Sequence, residues 1–215
     1  MQVGAKVRAA LDALDWEGIE ASLGERGFAS LPRILDAAAC AELVALYGAA
    51  HRFRKTVDME RHGFGRGEYK YFADPLPPPV AALRTEAYRR LAPIANRWER
   101  ALRRPPRWPA TLPALRAACA AQGQTLPTPL LLRYDAGGYN CLHRDLYGPC
   151  AFPLQLAVFL SEPERDYAGG AFLLVEQRPR AQSVGEALFP RRGSSASPTD
   201  CARGRCSTSR NAPPS

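Results

Sequence analysis

The sequence predicts an α+β fold, on three observations. Residues 1–127 of the 215 carry mostly helical periodicity. From residue 128 the chain changes to short runs rich in Leu, Val, Phe and Tyr, separated by Gly, Pro and Asp turns. From Ser194 onward there is no Leu, Ile, Val, Met, Phe, Tyr or Trp. The expected organisation is a mainly helical support region over 1–127, a compact β unit (sandwich or barrel) over 128–193, and a disordered basic tail over 194–215.

The elements follow in chain order. "VGAKVRAALDALDWEGIEASLGERG" puts Val3, Val7, Leu11 and Leu14 at helical spacing, with Gly24 and Gly27 as stops. "FASLPRIL" reads as a short extended segment, and Asp36 caps a helix through "AAACAELVALYGAA". "FRKTVDM" and "GEYKYFA" read as strands joined by the turn "HGFGRG", which lacks a P-loop lysine. "DPLPPP" breaks the chain before a long helical pattern that Pro93 is expected to kink or divide. "RRPPRWP" closes it, and "ALRAACAAQ" is one more short helix. The β-rich runs are "TPLLLRYDA", "CLHRDL", "FPLQLAVFLSE" and "AFLLVEQ".

Composition excludes several classes. Apolar residues make up 46% and charged residues 23%, within the globular range. No apolar run approaches the ~18–20 residues of a membrane span, and "MQVGAKVRAALDALDWEG" has no signal-peptide design. The expected setting is the cytoplasm, with no membrane partner. There, Cys40, Cys119, Cys141 and Cys150 are expected as free thiols. The net charge is +8, half of it carried by residues 191–215. That tail has no aromatic residue for base stacking, so no nucleic-acid partner is expected.

The stretch "YNCLHRDLYG" holds His143 and Asp145, one residue apart. On a strand, Tyr139, Cys141, His143 and Asp145 share one face, so imidazole and carboxylate aim at one point. Three readings stay open. A mixed nitrogen and oxygen pair suits Fe(II) held by two histidines and a carboxylate. Cys141, His143 and Cys150 together suit zinc. A strand-end histidine beside a solvated acid suits neither.

The surrounding segments "RYDAGGYNCLHRD", "LAVFLSE" and "YAGGAFLLVEQRPR" resemble the Fe(II)/2-oxoglutarate-dependent oxygenases, in their prolyl-4-hydroxylase-like branch. The resemblance covers roughly residues 128–193 and implies a double-stranded β-helix, a jelly roll supported by helices. It implies His143 and Asp145 as metal ligands, with Fe(II), 2-oxoglutarate as cosubstrate, O2 and ascorbate. Tyr134 occupies the upstream position where such proteins contact 2-oxoglutarate; a core tyrosine is the other reading. Gly169 and Gly170 match the family's turn, and "HGFGRGEYKYF" is expected at the entrance. His51 and His62 are not expected as ligands. The implied activity is hydroxylation of an unknown small-molecule or peptidyl substrate.

The pattern breaks downstream. The family places a second histidine and a basic 2-oxoglutarate-binding residue after the aspartate, and this chain has no histidine after His143. The tail's Arg, Ala, Pro, Ser, Gly and Cys are what GC-rich DNA encodes out of frame. The expectation is a frameshift or equivalent truncation near Gly193, leaving a truncated jelly roll and an impaired dioxygenase. A natural disordered tail is the alternative cause, and a non-catalytic jelly-roll binding protein the alternative function.

Overall fold

Asp15 divides the first helical stretch in two. Helix α1 (Val3–Asp12) ends before it, and helix α2 (Trp16–Arg26) begins after it. The Asp15 carboxylate accepts the Gly18 N–H at 3.0 Å, a capping bond that starts α2 afresh. Gly24 lies within α2, and Gly27 ends it. This is a computed structural model, describing residues 3–145, 148, 150–177, 180 and 182–198, with 198 and 205–209 as backbone only.

Strand β1 (Phe28–Leu31) leads to helix α3 (Ala37–Ala45), capped as expected by Asp36, which accepts the Ala39 N–H at 2.9 Å. Strands β2 (Phe53–Asp58), β3 (Gly65–Arg66) and β4 (Glu68–Phe72) follow. Helix α4 (Pro78–Ala101) runs undivided through Pro93, contrary to the expected division. Pro93 sits on an exposed face of α4, so the N–H it lacks is not a buried loss. Helix α5 (Leu112–Ala120) is capped by Thr111. The remaining strands are β5 (Leu130–Arg133), β6 (Tyr139–Asn140), β7 (Ala157–Val158), β8 (Phe172–Glu176), β9 (Val184–Leu188), β10 (Ser195–Pro198) and β11 (Arg205–Ser209).

The architecture is mixed helix and sheet. Among the described residues the strands form antiparallel sheets β1–β10–β7, β11–β8–β9 and β2–β4–β5, and the pair β3–β6. The region expected to be mainly helical thus supplies β1 to β4. Three of these pair across residue 127, β1 with β10, β4 with β5 and β3 with β6.

Helices α1 to α4 bury their apolar stripes together. Val7, Leu11, Leu23, Cys40 and Ile94 are at most 1% exposed. Burying a Leu or Ile of this kind contributes ~1.5–3 kcal/mol relative to exposure. Phe152, Leu154, Leu156, Val158 and Leu160 pack against or within this cluster. Phe159 points elsewhere and meets Phe172 of β8 edge-on, with ring centroids 5.3 Å apart.

The expected disordered tail begins instead with a strand. Gly193 sets its entry: its N–H donates to Phe159 O at 2.7 Å, and its carbonyl accepts from Ile34 N at 2.7 Å. Its φ is 77°, and a Cβ there would lie 2.2 Å from Leu35 O, so only glycine fits. Strand β10 then lies between β1 and β7, with Ser195, Ala196 and Ser197 at most 2% exposed. Backbone pairing on both sides places these residues without help from large apolar side chains. The backbone of β11 pairs with β8. The rest of the tail, 199–204 and 210–215, lies outside the described residues. Among the described residues no helix is long and apolar enough to cross a membrane.

The two buried serines of β10 differ. Ser197 Oγ donates to Gln155 O at 2.7 Å, whereas Ser195 Oγ is buried with no hydrogen-bond partner. An unsatisfied buried hydroxyl costs ~1–3 kcal/mol, and a made hydrogen bond contributes ~1 kcal/mol. Ser195→Ala should therefore leave stability unchanged or raise it, and Ser197→Ala should lower it by about 1 kcal/mol, as read by urea denaturation. Equal losses in both variants would contradict this assignment of β10.

Candidate metal centre

The approach of two backbones builds the site. Strand β3 pairs with β6, Gly65 opposite Asn140 and Arg66 opposite Tyr139. One residue beyond that ladder the Cys141 N–H donates to Phe64 O at 2.7 Å. The expected turn "HGFGRG" is thus partly a strand, preceded by a 3-10 turn at Glu60–His62. Gly65 has φ 126°, and a Cβ there would sit 2.3 Å from Tyr139 O. Only a glycine lets the two strands come this close.

Cys141, held in this way, orients His143. Its carbonyl lies 2.8 Å from His143 Nδ1. A carbonyl only accepts, so Nδ1 carries the proton of this bond and Nε2 turns the other way. Nε2 lies 3.5 Å from Asp145 Oδ1. The second carboxylate oxygen, Oδ2, accepts from Gln155 Nε2 at 2.6 Å. Burial pushes the Asp145 carboxyl up, but the hydrogen bonds with His143 and Gln155 together hold it below its ordinary value. His143 and Asp145 are each roughly one-third exposed, so the pair is open to solvent.

The spacing fits a single cation. Two donors ~2.1 Å from one ion lie ~3.0 Å apart at a right angle and ~3.4 Å apart at the tetrahedral angle. The 3.5 Å between Nε2 and Oδ1 needs only a small side-chain adjustment. Imidazole nitrogen with carboxylate oxygen suits a borderline metal such as iron. Among the described residues, no group of three His, Cys, Asp or Glu could hold a metal.

The other sequence candidates separate from this pair. Tyr134 follows β5 and is half-buried, its ring against Gly67, where a Cβ would lie 2.8 Å from Tyr134 Cδ1. The zinc trio does not assemble. Cys141 Sγ lies 3.7 Å from Gly63 O, while Cys150 Sγ lies 4.0 Å from Ala118 O, beside Cys119. Burial, with that Cys150 contact, pushes the Cys119 thiol up. Cys40, Cys119, Cys141 and Cys150 are all free. His51 lies in the exposed turn Ala50–Arg52, and His62 stacks on Phe64 with centroids 5.3 Å apart.

Sequence reasoning missed Gln155. The available signal was its place between Leu154 and Leu156, both of which pack in the helical core. It also missed the role of Phe64 and Gly65, because their partners lie far along the chain.

Comparison with known proteins adds the following. The sequence model of a family described as "Oxygenase, catalysing oxidative methylation of damaged DNA" matches residues 67–210, which includes most of the segment after Gly193. Two uncharacterized proteins of Mycobacterium tuberculosis, MT2286 and Rv2227, are each 46% identical over 143 residues. The matches cover 65% of this chain and 61% of theirs, so the chain spans about three-fifths of these curated relatives. A Pseudomonas putida prolyl-4-hydroxylase superposes with a TM-score of 0.53 at 13% identity, covering 93% of this chain and 100% of that one. An oxidoreductase of the 2OG-Fe(II) oxygenase family from Burkholderia pseudomallei gives a TM-score of 0.49 at 15% identity, covering 93% and 91%.

Gly65→Ala tests the backbone approach. It should lower the melting midpoint and shift the His143 imidazole resonances in NMR spectra. Gly24→Ala, in open space inside α2, should stabilise by ~0.5–1 kcal/mol and leave those resonances in place.

Proposed function

Because the chain belongs to this oxygenase family, we propose that it is an Fe(II)- and 2-oxoglutarate-dependent dioxygenase by descent, with His143 and Asp145 as metal ligands. The observation that carries the proposal is the clasp of Nε2 and Oδ1, 3.5 Å apart, each on a side chain whose other polar atom is already engaged. When bound, the iron with 2-oxoglutarate and O2 supplies oxidation of a C–H bond, yielding succinate and CO2.

In this reading His143 contributes a nitrogen lone pair, and Asp145 contributes one oxygen and the negative charge. Tyr134 contacts 2-oxoglutarate, supported by its half-buried position beside Gly67 just upstream of the pair. The core is a jelly roll, supported by antiparallel sheets β1–β10–β7 and β11–β8–β9 linked through Phe159 and Phe172. Ascorbate keeps the metal reduced, and a cytoplasmic setting keeps the four thiols reduced.

The same proposal makes the chain a weak enzyme. Two matched ligands hold iron loosely, and no matched basic residue meets the far carboxylate of 2-oxoglutarate. A hydrogen bond to a charged group is worth ~1.5–3 kcal/mol. The family match and strand β10 both continue past Gly193, so a change of frame accounts for both losses only if it lies beyond Pro198, and sequencing the gene tests it: an alternative frame encoding neither histidine nor apolar strand would refute it. A non-catalytic binding role is the second reading, favoured by the lack of a three-donor group among the described residues.

The family's description names damaged DNA, whereas the sequence reading expects a small-molecule or peptidyl substrate and no nucleic acid. Tyr139 (38% exposed), four residues before His143, and Phe64 (48% exposed), whose carbonyl accepts the Cys141 N–H, offer exposed aromatic rings for an unstacked base. Supplying a methylated oligonucleotide and, separately, a proline-containing peptide decides between these substrates.

Purified chain given Fe(II), ascorbate and 2-oxoglutarate should release little succinate above the metal-free control. His143→Ala should abolish the remaining iron binding, while His51→Ala and His62→Ala leave it intact. Strong turnover would refute the impairment, and equal effects from all three variants would refute the ligand assignment.

A further inference from the structure

We propose that Gln155 is the positioning residue of the metal-binding carboxylate, selecting which oxygen of Asp145 faces the ion. This rests on the reading of His143 and Asp145 as ligands. Asp145 lies outside any helix or strand, so no backbone ladder fixes its side-chain torsions. The Gln155 amide does so instead, donating from Nε2 to Oδ2 at 2.6 Å. With Oδ2 tied, Oδ1 is the oxygen left facing His143 Nε2. The assignment of the amide is forced, because an ionised carboxylate only accepts and the nitrogen end must point at it.

Gln155 is itself held in place. Its backbone carbonyl accepts Ser197 Oγ at 2.7 Å, a bond from β10. Its neighbours Leu154 and Leu156 pack in the helical core, while its own side chain reaches Asp145. The residue type also fits the task. An amide donates without carrying charge, so it orients Asp145 without offsetting the negative charge that attracts the cation. Lys or Arg in its place would neutralise that charge, and Glu would repel the carboxylate. Outer partners of this kind commonly change metal affinity by ~10–100-fold.

The test uses the full chain and Mn(II), with free ion followed by EPR and Co(II) absorption as a second readout. Gln155→Met keeps the length and removes the donor. It should weaken Mn(II) binding ~10–100-fold and alter the Co(II) spectrum. Gln155→Ala, which cannot overpack, should match it. Phe159→Leu removes the ring contact with Phe172 four residues further along the same segment while leaving the amide in place. It should lower the melting midpoint and keep Mn(II) affinity within about twofold of wild type. The proposal is overturned if both Gln155 variants bind like wild type with an unchanged spectrum, or if Phe159→Leu weakens binding as much as they do. Wild-type binding that His143→Ala leaves unchanged would overturn the ligand reading and this inference with it. Binding lost in His143→Ala but retained in the Gln155 variants would overturn this inference alone.

Discussion

The two-residue alternation of the segment from Phe152 to Leu160 is the constraint on which the rest depends. Its even-numbered side chains are taken by the helical core. Of its odd-numbered side chains, Gln155 meets Asp145 and Phe159 meets Phe172 instead. A shift of one residue would exchange the two sets. It would place an amide in the helical core and remove the donor from the Asp145 carboxylate. The burial that stabilises the helices therefore also fixes the register of the site.

A second constraint acts from the other side. The chain around Gly65 and the chain around Asn140 come together through backbone alone. That contact carries no large buried side chain, so its strength lies in hydrogen bonds, including Cys141 N to Phe64 O, and in the absence of a Cβ at Gly65. The orientation of His143 is the end of this line, through the Cys141 carbonyl. The two halves of the candidate centre are held by different means. His143 is set by backbone pairing, and Asp145 by a side-chain amide on a segment whose neighbours Leu154 and Leu156 pack in the core.

Local chemistry was legible in the sequence. Asp36 and its helix and the strands around Thr56 and Tyr71 rest on spacing within a few residues; His143 and Asp145 do face each other, but beyond the end of β6 and not on the strand expected to align them. What was not legible depends on distant partners. Asp15 reads as one polar residue in a helical run, but its cap divides that run. Pro93 reads as a breaker, but α4 carries it on an exposed face. Ser195 to Ser197 read as polar tail, because nothing in "SSAS" reveals strands waiting on both sides. Gln155 reads as one polar residue in an apolar run, and only Asp145, ten residues back, gives it a role.

The electrostatics of the pair follow from how fully its outer atoms are engaged. His143 Nδ1 is committed to Cys141 O, and Asp145 Oδ2 to Gln155. What remains is one imidazole nitrogen and one carboxylate oxygen facing each other, with the carboxylate held in its ionised form. The carboxylate oxygen only accepts, so a proton on Nε2 or a cation between the two groups satisfies it. A metal and that proton therefore compete for the same space. The single negative charge of Asp145 is the only formal charge the pair would offer a divalent ion, and among the described residues no third donor joins it, so its orientation by a neutral amide would weigh more than in a site with three ligands.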